Sequence, residues 1–253
     1  MSYEPLPPTP ETVPAPQAVR VTLPNSAPYV TYSIIGVTVV MYLLQLATQA
    51  LLQYDIPVLV FIKSNGLIRS GQIWRLLTPA LIHGSLAHIG FNMYALFSFG
   101  TNLERHFGHG RFLLLYVIGA FTGNVASFIM TDANSLGAST AIFGLLAAEG
   151  VFLYQNRKLF AGQFRSAIGN IIFIAAINLF IIGSLPGIDN WGHIGGLLGG
   201  LAFTWFAGPV WDVEPDLVGG LRLVDRRPAR EVVTGAAVVL AVFGAMAAWG
   251  IIK

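Results

Sequence analysis

Apolar and polar positions divide the chain into one polar tail and seven apolar runs. The runs cover approximately residues 29–52, 81–103, 112–131, 136–154, 167–185, 191–211 and 232–252. Each is continuously apolar rather than alternating, which predicts helices and argues against barrel strands. Their lengths of 19–24 residues match the roughly 20 residues a helix needs to cross the hydrocarbon core. Residues 3–28 hold eight prolines and little apolar periodicity. This tail is expected to be disordered. No apolar stretch with a small-residue cleavage site lies before Tyr29, so neither a signal peptide nor a transit peptide is expected.

Composition supports lipid as the solvent. The chain of 253 residues is 55% hydrophobic and 10% charged, where a soluble domain carries about 25% charged residues. It has no cysteine, which removes disulfides, thiolate nucleophiles and Cys-based metal sites. The formal net charge of +2 is too small to point to nucleic acid. The placement of the charges matters more. With the amino terminus inside, the internal segments carry Arg20, Arg105, Arg111, Arg157, Lys158, Arg165, Arg222, Arg226, Arg227 and Arg230. The external segments carry Lys63, Arg69, Arg75 and Lys253. That ten-to-four split follows the positive-inside rule. It predicts a long first external loop, about Gln53–Ala80, and a very short second one around Asp132–Leu136.

Polar groups within spans are costly and mark protein interiors or wet cavities. Span 2 places His88 and Asn92 four residues apart on one helix face. His83 lies on another flank or precedes the regular helix. Span 4 opens Gly137-Ala138-Ser139-Thr140, with Ser139 in the first turn. There the free N–H groups and the helix dipole favour negative charge. Ser139 is either an N-cap or a nucleophile whose own amide helps hold an oxyanion. Span 6 opens with Asp189 and His193. By the orientation above, His83, His88, Ser139 and His193 lie near one face at similar depth. Gly192, Gly196 and Gly200 repeat every four residues, as do Gly195 and Gly199, a pattern that permits close helix approach. Ala141, Gly144 and Ala148 are the expected counterparts on span 4. Such approach would bring Ser139 and His193 into hydrogen-bond reach; the alternative is helix packing without catalysis.

These residues resemble the rhomboid family of intramembrane serine proteases. The resemblance rests on Trp74-Arg75; on His83, His88 and Asn92 in an H-x(4)-H-x(3)-N pattern; on Gly100, Glu104 and Gly108; on Gly137-Ala138-Ser139; and on His193, Gly196 and Gly200. It implies an all-α polytopic fold with a six-span core at 29–211 and one additional span at 232–253 (6+1). The tail at 1–28 and a basic loop at 212–231 would be cytoplasmic. It implies a Ser139 nucleophile with His193 as general base, without a third carboxylate. His88, Asn92 and the Ser139 amide would hold the oxyanion. Phe143 would pack on the histidine ring, and His83, Gly137 and Gly196 would support the site. No cofactor or metal is implied. The expected substrates are single-pass membrane proteins, cut near the external interface of a prokaryotic cell membrane.

Two features depart from the family pattern or compete with it. Thr140 stands where the family usually has glycine, and its bulk would narrow the oxyanion pocket or the substrate's approach. The alternative function is therefore a pseudoprotease that binds membrane clients. Asp189 lies four before His193, but helix capping is the preferred reading. Glu149 is expected to pair with Arg157 or Lys158. Glu104 and Arg105 read as structural residues, Trp74-Arg75 as an interface anchor, and His106 and His109 as solvated loop residues. A transporter is disfavoured because the spans lack charged pathway residues. A metalloprotease is disfavoured because no H-E-x-x-H occurs.

Overall fold

The computed structural model describes residues 21–22, 27–216 and 220–253. Among them are ten α-helices: α1 Tyr29–Leu52, α2 Ile56–Phe61, α3 Asn65–Arg69, α4 Leu86–Ala95, α5 Thr101–Phe107, α6 His109–Met130, α7 Ser139–Gln155, α8 Phe164–Ala176, α9 Asn190–Ala207 and α10 Ala229–Ile252. A π-helical segment, Leu96–Gly100, joins α4 to α5, and another, Ile177–Ile181, extends α8. By length and composition, four segments suffice to cross a membrane: Tyr29–Leu52, His109–Met130, Phe164–Ser184 and Ala229–Ile252. The 17-residue α7 is shorter, as is the 18-residue α9.

α6, α7 and α9 form the packed centre. Phe112, Leu115, Ile118, Leu145, Phe152 and Phe203 are fully or almost fully buried there. The outer helices show the reverse of soluble amphipathicity. The buried residues of α1 are Thr31, Thr38 and Gln45, seven apart, whereas Val37, Val40, Leu43 and Leu46 are exposed. Apolar residues outward and polar residues inward suit a lipid solvent. α8 buries no residue at all.

The helix ends are tied by named groups. Glu104 is fully buried and accepts from the Val30 and Thr31 amides at 2.8 and 2.7 Å and from Thr31 Oγ1 at 2.6 Å. It thus satisfies first-turn N–H groups of α1 that have no intrahelical partner. α10 packs on α6 and α9, and its Gly250 carbonyl accepts from Arg69 Nε in the first loop. That loop is folded. Arg75, 3% exposed, donates to the Ile62 and Leu59 carbonyls, both at 2.7 Å, and to Gln72 Oε1. Trp74 is half exposed and donates from Nε1 to the Val60 carbonyl.

Several expectations change. Span 2 begins its helix at Leu86 rather than near residue 81, because residues 78–81 form a 3-10 turn and Ile82 is extended. The segment at 212–231 is not a loop but a hairpin of β2 Trp211–Pro215 and β3 Leu221–Asp225, running into α10. β1, Val21–Thr22, pairs parallel to β3 in the order β1-β3-β2, so the tail contributes a strand. Its other residues before Ala27 lie outside the described residues. The hairpin's arginines are neutralised locally, Arg222 by Glu214, Arg226 by Asp212 and Glu214, and Arg227 by Glu231. Asp225 accepts from Arg111 at 2.9 Å, which docks the hairpin on α6. Glu149 accepts from Asn102 Nδ2 at 2.8 Å rather than pairing with Arg157. Arg157 instead lies over the Tyr154 ring. His106 and His109 are helical rather than loop residues: the His106 ring packs on Phe152, and His109, still exposed to solvent, has Nδ1 2.6 Å from Glu104.

Candidate active site

The site lies where α7 and α9 begin. Ala138 occupies the N-cap position of α7 and Ser139 the first helical position. The Ser139 hydroxyl therefore does not cap the helix. It lies 3.0 Å from His193 Nε2, which excludes the N-cap reading. The Phe143 ring, one turn along α7, stacks on the His193 ring at 4.3 Å with an 11° interplanar angle. That stacking holds the imidazole plane. His193 Nδ1 is buried with no partner among the described residues. Asp189 does not reach it. Its carboxylate accepts from the Gly192 amide at 2.9 Å as the N-cap of α9. Ser139 and His193 thus face each other with no carboxylate on the histidine's far nitrogen among the described residues, and Asp189 sets the start of the helix that carries the histidine.

The residues leading into Ser139 are pinned one after another. Ser135 pairs with Lys63 in an antiparallel bridge. The Gly137 amide donates to the Pro79 carbonyl at 2.9 Å, and the Ala138 amide to His83 Nε2 at 3.3 Å. His83 thus precedes the regular helix and holds the residue before Ser139. His83 is itself bracketed by Gln45, which accepts from its backbone amide and donates to its carbonyl, both at 3.0 Å. Gly137 has φ +124°, and a Cβ there would lie 2.7 Å from His88 Cε1 and Nε2. Only glycine suits this conformation, and its bare backbone lets the His88 ring close down beside Ser139. The same Cβ position is 3.8 Å from Ser139 Oγ. Asn92 is buried, and its amide donates to the His88 carbonyl one turn back at 2.9 Å. The Ser139 amide has no acceptor among the described residues, as expected for the first turn of a helix.

The glycine rows of α9 serve two neighbours. Gly196 and Gly200 meet α7 at the backbones of Thr140 and Gly144, and Gly195 and Gly199 meet α6 at Thr122, Gly123 and Ala126. The counterpart of Gly196 is thus the Thr140 backbone rather than Ala141. Ala141 faces Gly119 of α6 instead. This seam carries helices bearing Ser139 and His193 to hydrogen-bond distance.

Thr140 corrects a second expectation. Its side chain points into the seam and not into the oxyanion region. A Cβ at Gly123 would meet Thr140 Cβ at 2.5 Å, and one at Gly192 would meet Thr140 Cγ2 at 3.1 Å. The glycines at 123 and 192 make room for the threonine. Thr140→Gly is expected to lower stability by about 1–2 kcal/mol, through lost methyl packing and added backbone freedom, with no gain in rate. Thr140→Val is expected to keep both, because the Thr140 hydroxyl is buried without a partner and its loss leaves no donor stranded. Thermal midpoints in detergent, read beside reaction rates, check both variants.

Gln45 and Lys63 were missed by sequence reasoning. For Gln45 a signal was present, a lone amide in an otherwise apolar span. Lys63 lies in a loop between spans, where a lysine carries no such signal.

The chain is similar in sequence to known proteins. The family profile described as "Rhomboid domain" matches residues 70–210. The chain is 43% identical over 176 residues to "Rhomboid protease GluP" of Bacillus subtilis, covering 70% of this chain and 34% of that protein. It is 39% identical over 145 residues to "RHOMBOID-like protein 1" of Arabidopsis thaliana, covering 56% and 37%. It is 36% identical over 155 residues to "RHOMBOID-like protein 7" of the same plant, covering 60% and 49%. The chain thus spans about a third to a half of the length of these relatives. The profile match covers more than half of the chain, from the folded first loop through the glycine seam, and together with the apolar outer helices it makes this integral membrane protein a member of the rhomboid family.

Proposed function

We propose that the protein is an intramembrane serine protease working by a Ser139–His193 dyad. The observation that carries the reading is the 3.0 Å contact between Ser139 Oγ and His193 Nε2, at a helix start whose amides are unused. Ser139 Oγ attacks the substrate carbonyl carbon while His193 Nε2 takes its proton. The negative charge that develops on the carbonyl oxygen is held by the Ser139 amide and by donors from His88 and Asn92. His193 then gives the proton to the leaving amine, and a water molecule hydrolyses the acyl-enzyme with the histidine again as base. No third carboxylate is needed for this cycle.

The helical segments arrange as six spans plus α10, with the hairpin and tail inside and the Ser139 end outside, in keeping with the distribution of basic residues. The substrates are single-pass membrane proteins cut near the outer interface of a prokaryotic cell membrane. A helix hides its carbonyls in its own hydrogen bonds, so a substrate must unwind before attack. Gly or Ala near the scissile bond favours this.

Labelling of the purified protein by a fluorophosphonate, with Ser139→Ala alongside, tests the reading. Labelling that disappears in the variant supports it; a folded wild-type protein that does not label overturns it in favour of a client-binding pseudoprotease. Asn92→Ala is expected to retain the label but to cleave about 10²–10³-fold more slowly, the usual cost of one oxyanion donor. An unchanged rate would remove Asn92 from the site.

A further inference from the structure

Lys63 is fully buried and makes no ion pair within 4 Å among the described residues. Its ammonium donates instead to two main-chain carbonyls, Thr131 at 2.9 Å and Ala133 at 2.8 Å. Both lie in the turn that leaves α6 and runs to the nucleophile. Its backbone grips the same turn, accepting from and donating to Ser135 at 3.3 and 3.0 Å. Two residues on, Asn65 Nδ2 donates to the Phe128 and Thr131 carbonyls and to Asp132. The last carbonyls of a helix have no intrahelical donor, and a cation there is favoured by the helix dipole. The first loop therefore supplies the C-terminal cap of α6 from outside.

The same ammonium lies in the electrostatic field of the α9 cap. Burial pushes Lys63 down to about 8, against the pull of Asp189 and Asp132, with Arg69 adding to the downward shift. Asp189 is the cap of α9, and its second carboxylate oxygen is buried without a hydrogen-bond partner. Lys63 thus lies in the field of the group that starts the His193 helix while holding the turn that ends four residues before Ser139. Burying a charge is costly, and an apolar side chain of the same length would avoid that cost but leave the Thr131 and Ala133 carbonyls without a donor.

We propose that Lys63 is a positioning residue for the dyad, holding the 131–135 turn that leads into Ser139 so that the serine stays in place before His193. The proposal rests on the protease reading above. Its role is distinct from substrate binding, since Lys63 has no exposed surface.

The test compares Lys63→Met and Lys63→Arg with wild type in the full chain, using fluorophosphonate labelling and steady-state cleavage of a single-pass reporter, normalised to folded protein. Lys63→Met is expected to lower kcat and the labelling rate together by about 10–100-fold, the scale of a misplaced reacting group. KM should stay within about twofold, and the thermal midpoint should fall by only a few degrees, as the Thr131 and Ala133 carbonyls lose their donor. Lys63→Arg keeps the charge and the donors and is expected to recover most of the lost rate. An unchanged kcat in Lys63→Met, a change in KM alone, loss of folding in that variant, or no recovery in Lys63→Arg would each overturn the proposal. A wild-type protein that neither labels nor cleaves fails the protease reading itself, before any Lys63 variant is compared.

Discussion

Replacing Ser139 or His193 by alanine is expected to abolish cleavage, with a loss of at least about 10⁴-fold for either change, while the protein remains folded. The structural argument separates the two effects. Among the described residues the Ser139 hydroxyl hydrogen-bonds only to His193, and it caps no backbone amide. Its removal therefore costs the helix nothing that a cap would supply. Residue 193 is held by the Asp189 cap and the Phe143 face, so alanine there leaves a small void and spares the packing of α9 on its neighbours. Acting as one unit, the two residues should not be additive. The double variant is expected to be no slower than the worse single one. Cleavage of a single-pass reporter, with thermal midpoints for each variant, checks this. A rate within tenfold of wild type in either variant would sink the dyad.

Gly196→Ala is expected to disable the protein by a different route. A Cβ at residue 196 would overlap the Thr140 carbonyl and come within 2.9 Å of its carbon. A backbone atom cannot swing away as a side-chain end can, so α9 must shift from α7. The cost is about 1–3 kcal/mol from overpacking. The shift falls three residues from His193 and one from Ser139, and displacement of reacting groups by about 1 Å costs about 10²-fold in rate. The sign makes the prediction sharp. Alanine is the better helix former by about 1 kcal/mol, so a loose seam would give a variant more stable than wild type. Gly90→Ala is the control, since nothing lies within 4 Å of a Cβ there. It is expected to be neutral or stabilising. A Gly196→Ala protein with wild-type midpoint and labelling rate would remove the seam from the account.

How much was legible beforehand follows from the solvent. In hydrocarbon every backbone polar group must be satisfied within its own helix, so the long apolar runs announce helices directly, and α1, α6, α8 and α10 fall close to the expected positions. The same cost makes each polar residue in a span conspicuous, which is why His88, Asn92, Ser139 and His193 stood out. The hairpin at 211–225 was hidden because its ten strand residues mix charges with apolar residues outside the membrane, where neither length nor hydropathy discriminates. Its pairing with β1 joins residues some 200 positions apart, and no local pattern encodes that.

The direction of Thr140 was hidden for a related reason. Spacing along a helix gives the angle between residues but not the neighbour each will face. Gly195 and Gly196 are about 100° apart around α9, and one meets α6 while the other meets α7. The sequence by itself determined that these helices form, that small residues line α9 and that a serine and a histidine begin two of them. Tertiary structure alone decided that Ser139 and His193, 54 residues apart, stand within one hydrogen bond. That distance is set by backbone-to-backbone contact across the glycine seam and by the contacts that Gln45 of α1 and Pro79 make with the segments before Ser139, interactions that depend on how whole helices dock and not on the residues next in line.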